Sequence, residues 1–85
     1  MEKRDQNEKE VVVEVSDLAL AAALCASDFI LKGVSGNQRK VFLFVAKSEE
    51  GIRQKINDYH NRCLTVDARR YTEEMRMLKT LIFNE

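Results

Sequence analysis

Val41-Phe42-Leu43-Phe44-Val45-Ala46 is apolar at every position, and this run constrains the fold more than any other feature of the chain. Successive strand residues point to opposite faces, so Val41, Leu43 and Val45 share one face and Phe42, Phe44 and Ala46 the other. A strand apolar on both faces belongs in the interior of a sheet. Arg39–Lys47 is therefore expected as a central strand with a neighbour on each side.

Two neighbours are available. Val11–Val15 (VVVEV) is a β-branched run and Phe29–Val34 (FILKGV) a second apolar stretch, each with one charge, Glu14 and Lys32. Gly33 suggests a bulge in the latter. Ser35-Gly36-Asn37-Gln38 supplies turn chemistry, so the second and third strands form a hairpin. Between the first two strands Ser16 is expected as N-cap, with Asp17 in the first turn and Val15 and Leu20 as a hydrophobic staple. The helix that follows, LALAAALCAS, is apolar almost all round, which predicts burial on more than one side.

After the hairpin Ser48 caps a second helix, with Glu49 and Glu50 in its first turn and Ile52, Ile56, Tyr59 and Cys63 on one stripe. Asp67 caps a third, again with a staple pair, Val66 and Tyr71. Tyr71, Met75, Leu78 and Ile82 form its inner face, and Arg69–Glu73 and Arg70–Glu74 pair on the outside. The expected fold is α+β: β-α-β-β-α-α, a three-stranded antiparallel sheet of order 2-3-1 packed with three helices. The first helix then makes a split β-α-β crossover.

One domain, 11–85, accounts for all of this. Residues 1–10 (MEKRDQNEKE) carry seven charges and no apolar residue after Met1, and read as a disordered charged tail. The absence of proline and the 45% hydrophobic content suit a compact domain near the lower size limit for an unaided core. No apolar run is long enough to span a bilayer and the start has no secretory pattern, so a cytoplasmic protein without membrane contact is expected. Cys25 and Cys63 are then expected as buried thiols. Fourteen basic and fourteen acidic residues cancel, which removes any general attraction to nucleic acid. Lys32, Arg39, Lys40 and Lys47, however, fall in a segment without acids and could form a local patch.

Catalytic signals are few. His60 and Cys63 lie three apart, but zinc needs about four ligands and the chain offers one His and two Cys. A Cys–His nucleophilic pair lacks an orienting third group. The glycines at 33, 36 and 51 do not have the spacing of a phosphate loop. Glu49-Glu50 and Glu73-Glu74 are adjacent on helices and diverge by about 100°, so neither is an acid/base dyad. The expectation is a protein that is not an enzyme, with no cofactor, no metal and no small-molecule substrate.

Lys40-Val41-Phe42-Leu43-Phe44-Val45 resembles the RNP1 pattern on the third strand of RNA-recognition motifs. The resemblance implies that Phe42 and Phe44 face solvent and stack on bases, with Lys32, Arg39, Lys40 and Lys47 around them. It departs in the bulky Val41 and Leu43, in a first strand without an aromatic, and in a final helix where that fold has a strand. The competing assignment puts Phe42 and Phe44 in the core. If all three helices share one side of the sheet, Phe42 and Phe44, or else Val41 and Leu43, form an exposed patch that predicts association, with a second copy as first partner.

Across 11–84 the chain resembles a family of small bacterial and phage-encoded domains of unknown function. The resemblance lies in Ser16-Asp17-Leu18, Leu20-Ala21-Ala22, Val41–Val45, Tyr59, Val66-Asp67, Tyr71 and Arg76-Met77-Leu78-Lys79. It implies a cytoplasmic accessory protein, often of mobile-element origin, and brings no activity. The function expected is protein–protein contact, self-association included, with nucleic-acid binding through the hairpin as the alternative.

Overall fold

A computed structural model describes residues 10–36 and 38–83. The tail expected over 1–10 lies outside these residues except for Glu10, as does Asn37 of the expected turn. The order is β1 (Val11–Val15), α1 (Leu18–Ala26), β2 (Ile30–Ser35), β3 (Val41–Ala46), α2 (Glu49–His60) and α3 (Ala68–Phe83). The strands form one sheet in the order β1-β3-β2, which is 2-3-1 read from the other edge, and both pairings are antiparallel. The two-sided apolar strand is indeed central. Between Leu31 and Gly33 the register slips by one, leaving Lys32 as the extra residue of a bulge beside the expected glycine.

α1 holds the layers together. Leu20, Ala21, Ala22, Ala23, Leu24 and Cys25 are buried without a break. Six consecutive residues at about 100° each point in every direction around a helix, so α1 is enclosed rather than laid on a surface. The sheet covers one side through Val13, Val15, Phe42 and Phe44, while Leu78 of α3 and Ile52 of α2 belong to the same core. Alanines allow this close approach because they carry almost no side-chain volume.

The cap of α1 differs from expectation. Asp17, not Ser16, is the N-cap: its Oδ1 accepts from the N–H groups of Ala19 at 2.9 Å and Leu20 at 3.2 Å. A carboxylate satisfies two of the orphan donors at once and carries a charge suited to the helix N-terminus. With the cap one residue later Val15 leaves the staple position, and it and Leu20 are buried in the common core instead. Ser48 and Asp67 cap as expected, accepting from the N–H groups of Gly51 and Arg70.

Both α1 and α2 end in the same backbone device. Asp28 (φ 74°) and Arg62 (φ 62°) are left-handed. Phe29 N–H then reaches Leu24 C=O and Asp28 N–H reaches Cys25 C=O, as Cys63 N–H reaches Asp58 C=O and Arg62 N–H reaches Tyr59 C=O. This is the Schellman pattern, which usually places glycine at the left-handed position. At the first turn Arg70 of α3 donates to Asp28 Oδ1 at 2.7 Å, to Cys25 C=O at 3.0 Å and to Glu74 at 3.3 Å. One guanidinium thus joins the end of α1 to the start of α3. In the hairpin, Gly36 (φ 100°) is required, since a Cβ there would meet the Arg39 carbonyl oxygen at 2.1 Å.

Two stability predictions follow from these placements. Arg62→Gly relieves a left-handed side chain and should raise the urea unfolding free energy by about 0.5–1 kcal/mol. Phe42→Ala should lower it by about 3–5 kcal/mol, since the ring is enclosed and leaves a cavity.

Candidate functional site

Every helix among the described residues contributes to the single core on the Phe42 and Phe44 side of the sheet. Phe42 is 1% exposed and Phe44 0%. Both were candidates for a solvent-facing surface, and burial corrects this: α1 needs an apolar floor, and these rings supply it. Neither can stack on a base while the domain is folded.

Among the described residues no helix covers the opposite face. The register aligns Val12 of β1, Val45 of β3 and Ile30 of β2 in one row across all three strands. Val12 is 47% and Ile30 67% exposed. Leu43 lies in the next row between Glu14 and Gly33, and Val41 beyond it opposite Ser35. Side chains in such rows are close enough to present one continuous apolar strip. Of these residues Val41, Leu43 and Val45 were legible beforehand as one face of the central strand. Alternation along β1 would have found Val12, but Ile30 needed the bulge to be placed.

Two further surfaces emerge. Met77, Leu81 and Phe83 are exposed near the end of α3, and the four-residue spacing of the first two was a readable signal. Beside the sheet, a cleft of about 580 Å³ separates the free edge of β1 from α2. Glu49, Arg53, Ile56 and His60 line its helical wall, and Val12–Asp17 with Leu20 line the other. Glu49 and Arg53 are paired across 2.6 Å.

The basic side chains do not gather. Lys32 projects from the bulge and Arg39 and Lys40 precede β3, whereas Lys47 follows its far end. A strand of this length puts Lys47 roughly 20 Å from Arg39 and Lys40, with Lys32, level with Phe44 and Leu43, about midway, so these three stations stand roughly 10 Å or more apart. That exceeds the Debye length of about 8 Å at physiological ionic strength, so their fields add little to one another. Lys40 Nζ is also turned back to the Gly36 carbonyl at 3.2 Å.

The two cysteines differ. Cys25 is buried as expected, but Cys63 is exposed. α2 stops at His60 and turns through the left-handed Arg62, so Cys63 leaves the helical stripe on which period alone had placed it. His60 lies edge-on to Tyr59 at 5.4 Å between ring centroids. Among the described residues no three His, Cys, Asp or Glu side chains converge as metal ligands.

Burial pushes the Cys25 thiol up to about 11, helped by Glu74 and opposed by Arg70. Since thiolate is the reactive form, one thiol should alkylate in the folded protein at neutral pH and two in denaturant, with mass mapping to Cys63 first. The raised value also makes stability fall with pH. Unfolding releases a thiol of ordinary acidity, so the contribution of Cys25 is intact below about pH 9 and lost as pH rises to about 11. Cys25→Ala should flatten that part of the urea stability profile.

No helix among the described residues is long and apolar enough to cross a membrane. Comparison with curated proteins and with solved structures yields no match. A family match covers residues 4–84, nearly the whole chain, and includes every element described above. The chain belongs to the family described as Domain of unknown function (DUF5659).

Proposed function

We propose that this protein is a non-enzymatic binding module that acts by protein–protein contact, with a second copy of itself as the first partner. The observation that carries this is the uncovered apolar row Val12, Val45 and Ile30, extended by Leu43 and Val41. Apolar strips of this kind on a sheet are usually buried against another surface. Two copies can meet face to face about 10 Å apart, as in a β-sandwich, and a two-fold axis lets the same strip serve both sides. A cytoplasmic setting and a mobile-element origin, which the sequence resemblance implies, belong to this proposal. Nucleic-acid binding through the hairpin has less support, because it would have to rely on separated lysines and arginines while the hairpin's own rings, Phe42 and Phe44, are buried.

Sedimentation equilibrium across a concentration series tests the proposal, with Ile30→Lys as the variant. The chain is expected to dimerise in a manner resistant to salt. The lysine should weaken dimerisation at least tenfold, since about 1.5–3 kcal/mol of side-chain burial is lost and a charge is introduced. At a concentration where the parent is monomeric its thermal midpoint should stay close to that of the parent, because Ile30 is exposed in the protomer. A protein that remains monomeric at every concentration removes self-association. Mass gained only with a single-stranded oligonucleotide, and lost in high salt, favours the hairpin instead.

A further inference from the structure

The sheet has two edges, and they are not alike. β2 carries the bulge, with Lys32 as its extra residue. Bulges and lysines are the usual means of preventing an edge from pairing with another strand. β1 has neither: it is five residues long, β-branched at four positions, and pairs with β3 without a register slip. Among the described residues no other segment hydrogen-bonds to its outer side. Alternate residues of β1 therefore direct N–H and C=O groups into the cleft against α2.

We propose that this cleft takes an extended peptide segment of another protein, added as a fourth strand beside β1, with a basic residue opposite Glu14 and apolar residues on either side of it. This goes beyond association through the outer sheet face and does not depend on it. Strand addition is an established mode of peptide recognition, in which the main chain supplies hydrogen bonds and alternate side chains supply selectivity. The selectivity here follows from the walls. Side chains of the added strand that point inward, level with Val13 and Val15, meet Leu20 and Ile56. The one level with Glu14 points outward beside that carboxylate. Among the described residues Glu14, Asp17 and Glu49 line the cleft with Arg53, which Glu49 already engages, and His60. The cleft thus favours a basic segment over an acidic one. A second copy of β1 fits less well, because its own Glu14 would bring another carboxylate to the same edge.

The test is a titration of the ¹⁵N-labelled full chain with the peptide acetyl-TVRVRVT-amide, followed through the backbone amides. The amides of Val11–Val15 should shift and exchange more slowly with solvent. Alternate backbone N-methylation of the peptide should abolish both effects, since it removes the donors that pair with β1. The acidic peptide acetyl-TVEVEVT-amide should bind more weakly by roughly 1.4- to 5-fold, the range of one cross-strand charge pair. Glu14→Lys, an exposed position, should reverse that order. The proposal is overturned if the β1 amides stay unmoved at millimolar peptide, or if the N-methylated peptide moves them equally. It is also overturned if β1 becomes protected with rising protein concentration alone, because a second copy then holds the edge. Shifts confined to Ile30, Leu43 and Val45 would count against the cleft while leaving the outer-face association standing.

Discussion

Enclosure of α1 is the constraint on which the rest of the structure depends. A nine-residue helix without a polar side chain cannot face water on any side at low cost, and it must be covered by more than one layer. The sheet is one cover, and α3 with α2 is the other. Because α1, α2 and α3 all lie on the same side of the sheet, no helix among the described residues is left for the other side. The strip of exposed Val12 and Ile30 with half-buried Val45 between them is the consequence of burying Ala21, Ala22 and Leu24 so completely.

That allocation bears on function more than any single side chain does. The described residues offer no convergent set of acids, bases and nucleophiles, and the one exposed thiol sits past a helix end. What they offer is unsatisfied surface: an apolar sheet face, an unpaired strand edge with carboxylates near it, and apolar residues along the end of α3. Each invites contact of a different kind. The face presents side chains only and selects weakly, whereas the edge presents main-chain donors and acceptors in a fixed repeat and can select for an extended partner. Arg70 keeps this arrangement in register from a distance, since it ties the last turn of α1 to the first turn of α3 through Asp28 and the Cys25 carbonyl.

Most of the architecture was legible because the local signals agreed. β-branched and aromatic runs marked the strands, Gly36 the turn, and Ser48 and Asp67 the helix starts. The misplacements were local competitions. Ser16 and Asp17 are both good caps, and only the geometry of the chain leaving β1 lets the carboxylate reach two amides. Cys63 continues the stripe of Ile52, Ile56 and Tyr59 by arithmetic, yet the helix ends before it, and arginine in a left-handed position gives no sequence warning of that.

The sequence by itself determined which residues travel together. Strict alternation in β3 separates Phe42, Phe44 and Ala46 from Val41, Leu43 and Val45, and it does so whatever the rest of the chain does, because the pleat has period two. It also made the strand central, since both sets are apolar. Only the tertiary structure decided which set is inside. Both faces are hydrophobic, so burial of either satisfies the same local preference, and the choice rests on the side to which α1 crosses over and stacks its alanines. The same choice brought α2 alongside β1 to make a cleft from residues more than thirty positions apart, a juxtaposition that no local pattern encodes.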